Sequence, residues 1–301
     1  MSASHPRPAS RRAGLLLAAA GALLFSAKAI LAKYQYRLGM DALDVMTLRM
    51  LLALPLFALL ALRQRLAGPG PRLLPSDRWT LLWIGLLGYY LSSLLDFWGL
   101  QYIPVSLERL ILFTSPGFVL LLGWLGWDRT VAPRQWAILA TSYAGIVLVM
   151  LEGLRFEGSQ VLLGSALVLG AAVSYALYLL LSGELIQRLG TVRLVSLAMA
   201  ISTAATVLHF LLLRPPSRLL EWPPEAYGWA LANAFFCTFL PVTFTMAAVR
   251  RIGSGDAAQL SVLGPVSLVF LGAWLLDEPF TLLQLAGTAV VLWAMWRLGR
   301  S

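Results

Sequence analysis

Pro116-Gly-Phe-Val-Leu-Leu-Leu-Gly-Trp-Leu-Gly-Trp-Asp128 and Pro265-Val-Ser-Leu-Val-Phe-Leu-Gly-Ala-Trp-Leu-Leu-Asp277 stand 149 residues apart. Each opens on a proline, runs without a charge through apolar residues and closes on an aspartate, with Leu122 and Leu271, Gly123 and Gly272 in step between. The same offset pairs Ile103 with Ile252, Gln135 with Gln284 and Ala137 with Ala286. Earlier in the chain it pairs Gly21 with Gly170, Ala22 with Ala171 and Ala27 with Ala176. Such spacing reads as two copies of one unit. Runs this long and apolar, with no alternation of period two, read as membrane helices and not as barrel strands.

Composition says the same. The 301 residues are 59% hydrophobic and 12% charged, with a mean hydropathy of +0.78. A soluble domain carries about 25% charged residues, so this chain lacks the charge to cover a water-facing surface. At about 20 residues per span, apolar runs predict ten helices near 13–33, 43–62, 79–101, 104–125, 134–151, 160–182, 191–213, 226–249, 254–276 and 280–298. Proline and glycine mark the breaks, at Gly68-Pro-Gly-Pro71 and at Pro215-Pro216 and Pro223-Pro224, with Trp79, Trp222 and Trp229 beside them as interfacial anchors. The first unit covers 13–151 and the second 158–298. Five helices per unit is an odd number, so the two enter the membrane in opposite directions. The expected fold is an all-α integral membrane protein of ten transmembrane helices arranged as two inverted five-helix repeats.

A net charge of +9 suggests nucleic acid in a soluble protein and loop charge in a membrane one. Placing the N-terminus inside puts Arg7, Arg11, Arg12, Arg63, Arg65, Arg72, Arg78, Arg129, Arg134, Arg188, Arg193, Arg250, Arg251, Arg297 and Arg300 on the cytoplasmic side. Only Lys33, Arg37, Arg155, Arg214 and Arg218 fall outside. That bias predicts a multi-pass protein of the cell (inner) membrane with both termini cytoplasmic, and it removes the case for a nucleic-acid partner. The single cysteine, Cys237, excludes an internal disulfide and any Cys-Cys metal site. With no phosphate-binding glycine loop, and with His5 and His209 far apart, the sequence offers no catalytic residue, metal site or cofactor.

Pro116 and Pro265 fall within the fourth and ninth helices, where each removes a backbone hydrogen bond and opens or kinks the helix, so both are expected to serve hinging or packing. Small residues four apart, Gly14, Ala18, Ala22 and Ser26, with Ala166, Gly170 and Ser174, foretell close helix packing.

Five ionisable residues interrupt the apolar runs: Lys28, Arg49, Asp96, Glu108 and Arg109. Counted inward at about 1.5 Å per residue, all lie in the outer third of the membrane. Each costs about 2.5–3.5 kcal/mol if left unpaired at the bilayer centre, so each should face protein or water. Their counterparts at the 149-residue offset, Leu177, Ala198, Thr245, Ala257 and Ala258, are all uncharged. A charge set confined to one repeat favours a substrate-binding or coupling cluster over a stabilising one. Arg49 has the planar fork that suits a carboxylate; Asp96 and Glu108 could hold a substrate amine or a coupling proton. Tyr90 and Tyr175 are the aromatics expected to line the path.

The stretch Gly99-Leu-Gln-Tyr-Ile-Pro-Val-Ser-Leu-Glu-Arg-Leu-Ile-Leu-Phe-Thr-Ser-Pro116 and its partner Gly255-Asp-Ala-Ala-Gln-Leu-Ser-Val-Leu-Gly-Pro265 resemble the EamA family of the drug/metabolite transporter superfamily. So do Asp277-Glu-Pro279 followed by Gln284-Leu-Ala-Gly287, Ser174-Tyr-Ala-Leu-Tyr178, and Arg49 within helix two. Asp128-Arg129 departs from the family, whose first copy commonly carries a Gly-Glu-type turn there. The resemblance covers the whole chain as two tandem copies. It implies a ten-helix secondary transporter, often an exporter of amino acids or similar small metabolites, with the substrate path between the bundles. The expected function is therefore export of a small metabolite by alternating access, driven by protons or by the substrate's own gradient. The alternatives are a passive channel or facilitator and an integral-membrane enzyme acting on lipid-linked substrates. The expected partners are the metabolite, protons and the lipid bilayer; sequence leaves the oligomeric state open.

Overall fold

The structure, a computed structural model, describes residues 8–68, 72–112, 114–126, 159–245 and 282–298, with isolated positions at 133, 136–137, 140–141, 144, 247–248, 251 and 274–275. Among the described residues all regular structure is helical. Seven stretches there are long and apolar enough to cross a bilayer: Arg12–Arg37, Ala42–Leu66, Pro75–Leu100, Leu107–Gly126, Gln160–Ser182, Thr191–Leu213 and Pro224–Thr245. The helices expected near 134–151 and 254–276 lie almost wholly outside the described residues. Helix α11, Leu282–Leu298, falls within the run expected at 280–298.

Four spans depart from the uninterrupted helices expected of them, each for a local reason. The first divides at Ala27 into α1 (Pro8–Ser26) and α2 (Lys28–Arg37). Ser26 Oγ donates back to the carbonyl of Ala22 at 2.9 Å, a bond that bends helices. The third span is α4 (Pro75–Gly85), a π turn (Leu86–Leu91) and α5 (Ser92–Leu100). Helix α8, described below, supplies Ser174, whose hydroxyl donates to the Leu87 carbonyl inside that π turn at 2.8 Å. The fourth span breaks into α6 (Val105–Leu112) and α7 (Ser115–Gly126) just ahead of Pro116. Proline has no N–H for the carbonyl four residues back. Here the hydroxyl of Ser115 donates to that carbonyl, Leu112, at 2.6 Å. The eighth span is α10 (Pro224–Ala234), a π turn (Phe235–Phe239) and further helix to 245.

The remaining spans are continuous. Helix α3 (Ala42–Leu66) starts on Asp41, whose carboxylate accepts from the N–H groups of Leu43 and Asp44, while Asp44 accepts from the Asp41 N–H. Helix α8 (Ser159–Leu189) runs beyond the expected 182 and stops at Gly190, whose φ of +76° suits glycine. Helix α9 (Thr191–Leu213) has the expected bounds. The 149-residue offset recurs in these elements. It carries Pro75–Gly85 onto Pro224–Ala234, Leu86 onto Phe235 at the start of the second π turn, and Asp41 before α3 onto Gly190 before α9.

Helix α5 lies against α8, and glycine lets the backbones approach. A Cβ on Gly99 would stand 2.6 Å from the Gly164 carbonyl oxygen, and one on Gly164 would stand 2.9 Å from that of Gly99. The tight point is thus Gly164, not Gly170, where an added Cβ meets only Leu95 at 3.3 Å. Ion pairs join the two halves at both ends. At the end where α3 begins, Arg214 bonds Asp44 at 3.0 and 3.1 Å and pairs with Asp41, and Arg218 stands 3.9 Å from Asp44. At the end where α3 finishes, Arg188 pairs with Asp77 and donates to the carbonyl of Arg72 at 3.2 Å.

Candidate functional site

The bend at Ala27, the π turn before α5 and the break before α7 all lie close to the interrupting charges, and the structure gathers all five of these. Lys28 opens α2, Arg49 lies in the second turn of α3, Asp96 in α5, and Glu108 and Arg109 in α6. All are buried, Arg49 at 4% exposure and Glu108 at 0%. Lys28 and Asp96 form an ion pair. Arg109 Nε stands 3.6 Å from Glu108 Oε2, and its guanidinium donates to the Ser26 carbonyl at 3.5 Å, the carbonyl beside the helix bend. The carboxyls of Asp96 and Glu108 lie within hydrogen-bonding range of each other.

Two phenyl rings hold the cations apart. Lys28 Nζ lies 5.4 Å from the Phe25 ring centre and 5.2 Å from that of Phe97. Arg109 Cζ is 5.3 Å from Phe25 and Arg49 Cζ 4.8 Å from Phe97. A ring face attracts cations by its quadrupole, the more so away from water. Arg49 otherwise donates to the Ser93 hydroxyl at 3.0 Å, and its Nε has no hydrogen-bond partner. Among the described residues it forms no ion pair. Three cations therefore stand against two acids, and the guanidinium is the charge that lacks a carboxylate. Such an arrangement can accept an anionic group in the plane of the guanidinium.

The expected aromatics fall elsewhere. Tyr90 bonds through its hydroxyl to His209 Nδ1 at 3.0 Å. Tyr175 packs on Tyr178, ring centres 5.4 Å apart, and the Tyr178 hydroxyl meets that of Tyr89 at 3.2 Å. Tyr89, not Tyr90, is within electrostatic reach of Arg49. Pro116 sits at the second residue of α7, and Pro265 lies outside the described residues. Sequence reasoning passed over Phe25, Tyr36, Tyr89, Ser93 and Phe97, and it read Cys237 as packing alone. Tyr36 donates to the Phe97 carbonyl at 2.6 Å, and Cys237, fully buried, lies within electrostatic reach of Lys28, Arg49 and Arg109. One signal was present: Tyr89, Ser93, Asp96 and Phe97 follow one another at three- and four-residue steps along one helix. Among the described residues no three His, Cys, Asp or Glu side chains converge to hold a metal.

Comparison with known proteins reaches the same class. The model of the EamA-like transporter family matches residues 12–151 and again 162–298. The uncharacterized transporter YcbK of Bacillus subtilis is 31% identical over 290 residues, covering 94% of this chain and 91% of that protein. The uncharacterized transporter sll1319 of Synechocystis is 25% identical over 259 residues, covering 83% and 77%. A solved crystal structure of another protein shares the fold at a TM-score of 0.63 and 17% identity, covering 96% of both chains. Matched by that family model along nearly its whole length, the chain belongs to the EamA-like transporter family and is a multi-pass membrane transporter of the drug/metabolite transporter superfamily.

Proposed function

We propose that this protein is a secondary transporter that exports amino acids or similar small metabolites by alternating access. Its ten helices form two inverted repeats, 13–151 and 158–298, in the cell (inner) membrane with both termini cytoplasmic. Supporting the repeat is the offset of 149 residues that relates not only residue identities but also the start of a proline-led helix and of the π turn that follows it. The orientation rests on the excess of arginine in the loops assigned to the cytoplasm. Paired prolines at 116 and 265 are read as the points about which the helices flex.

The observation that carries the substrate reading is Arg49, a buried guanidinium with a neutral hydroxyl as its hydrogen-bonded partner. Leaving a charge buried and unpaired is costly. A substrate carboxylate supplies the missing partner, and it selects amino acids and other small carboxylates over neutral solutes. Glu108 provides the opposite charge for the amine of a zwitterion.

The test is counterflow in proteoliposomes loaded with unlabelled amino acids and related carboxylates, with labelled solute outside. Wild-type protein accumulates label against its gradient. Arg49→Gln and Glu108→Gln, which keep size and hydrogen-bonding capacity, reach the membrane folded and lose transport. Loss of a buried charged partner costs about 2–5 kcal/mol, or roughly 30-fold and upward. Wild-type transport in Arg49→Gln refutes the carboxylate site. Label that equilibrates without accumulating points to a facilitator.

A further inference from the structure

Glu108 is the most secluded charge of the cluster. It is wholly buried, and neither carboxylate oxygen receives a hydrogen bond. Asp96 gives Oδ2 to Lys28, while its Oδ1 has no donor. The surrounding groups are committed elsewhere. From α2, Lys28 is held by Asp96 and the Tyr36 hydroxyl by the Phe97 carbonyl. From α3, Arg49 donates to Ser93; from α6, Arg109 donates to the Ser26 carbonyl and stands 3.6 Å from Glu108, beyond ordinary hydrogen-bond length. Cys237, on the π turn Phe235–Phe239, completes the titratable groups near the cluster among the described residues. What Glu108 does face, within hydrogen-bonding range, is the other carboxyl.

Ionised carboxylates only accept hydrogen bonds, so two of them have nothing to exchange. One proton turns either into a donor and satisfies oxygens of both. A sodium ion would have to share the site with three cationic side chains, whereas a proton needs only the two carboxyls.

We propose that the Asp96–Glu108 pair is the proton-binding site of this transporter, and that a proton and the ammonium group of a substrate anchored on Arg49 occupy Glu108 in turn. The identity of the competing ligand rests on the function proposed above; the proton site rests on the geometry of the two carboxyls. As the ammonium approaches, the Glu108 O–H bond breaks and the proton passes to water on the side to which the site is open. N–H donors of the substrate then take the vacated oxygens, and no covalent bond to the substrate forms. When the substrate leaves, a proton returns from the opposite side. Because the two cations exclude one another at one carboxylate, the cycle exchanges substrate for proton. One zwitterion against one proton moves one net charge, so transport is electrogenic.

Infrared difference spectroscopy of the full chain in lipid nanodiscs, stepped in pH, reads the site without any substrate. Wild-type protein shows the carbonyl stretch of a protonated carboxylic acid, shifted by deuterium exchange, which disappears as pH rises. The band is lost in Glu108→Gln and persists in Arg49→Gln. No titrating band in wild type, or an unchanged band in Glu108→Gln, overturns the proposal; displacement of the band by sodium chloride at fixed pH, with choline chloride inert, assigns the site to sodium and overturns it too. The exchange is read by proton release from wild-type protein in weakly buffered solution when amino acids active in counterflow are added. Counterflow without proton release overturns the exchange. A titrating band in protein that shows no counterflow with any carboxylate fails the substrate reading and supports the proton site.

Discussion

Gly99→Ala adds one methyl group where α5 meets α8. Built on the existing backbone, its carbon stands 2.6 Å from the carbonyl oxygen of Gly164, 2.6 Å from Val168 Cγ2 and 3.2 Å from Leu167 Cβ. Ordinary contact begins near 3.4 Å, so relief needs a separation of about 0.8 Å at the crossing. None of these atoms can swing aside: one is backbone, one a Cβ, and the third belongs to a β-branched side chain stiff about χ1. The helices must part, at the cost of about 1–3 kcal/mol typical of an overfilled interior. Alanine also favours a helix by about 1 kcal/mol over glycine, which masks part of that cost. Gly228→Ala isolates the helix-favouring part, since a Cβ there meets nothing within 4 Å. The two variants should therefore differ by about 1–3 kcal/mol, roughly five- to 150-fold in unfolding equilibrium. Reversible unfolding in mixed SDS micelles, followed by tryptophan fluorescence, measures that difference. Equal stability of the two within about 0.5 kcal/mol would refute the close approach of α5 and α8 at this point.

Asp96→Asn leaves Lys28 buried without its counter-charge and should destabilise by about 3–5 kcal/mol, whereas Lys28→Met combined with Asp96→Asn should recover most of that loss; additive effects in the same unfolding assay would show that the pair does not interact. Ser174→Ala deprives the Leu87 carbonyl of its hydroxyl partner and should cost about 0.5–1.5 kcal/mol, with slower or unchanged amide exchange across Leu86–Leu91 as the contrary result. Reporters fused after Arg65 and at Ser301 should stay cytoplasmic while one near Pro216 is exported; an exported C-terminal reporter would sink the ten-span inverted arrangement.

Much of the fold could be read because hydrophobicity and backbone chemistry act locally. Thr191–Leu213 has the bounds its apolar run sets, since glycine and a proline pair flank it. The bend at Ala27 was not legible. Ser26 can point its hydroxyl to solvent or back along the helix, and a partner 83 residues away, Arg109, meets the freed carbonyl. The π turn at Leu86–Leu91 was hidden for a similar reason, because part of what supports it is Ser174 on a different helix. At the site, five interrupting charges identified the cluster by their cost in lipid alone. Which acid meets which base was beyond the sequence: periodicity along one helix cannot say how α2, α5 and α6 are rotated against one another. That choice leaves Arg49 with Ser93, gives Asp96 to Lys28 and brings Glu108 to Asp96.

The ties at the two ends of the bundle make the described state an airlock with both doors shut. Arg214 fastens one door across Asp41 and Asp44, and Arg188 fastens the other on Asp77. On an alternating-access cycle, each half-turn must release one fastening while the other holds. The doors are unequally hung. Asp44 is fully buried and shared by two arginines, whereas the other door is a single pair whose arginine is 37% exposed. Salt screens an exposed pair more than a buried one. Rising ionic strength should therefore loosen the Arg188 door first and bias the resting population toward opening on that face alone.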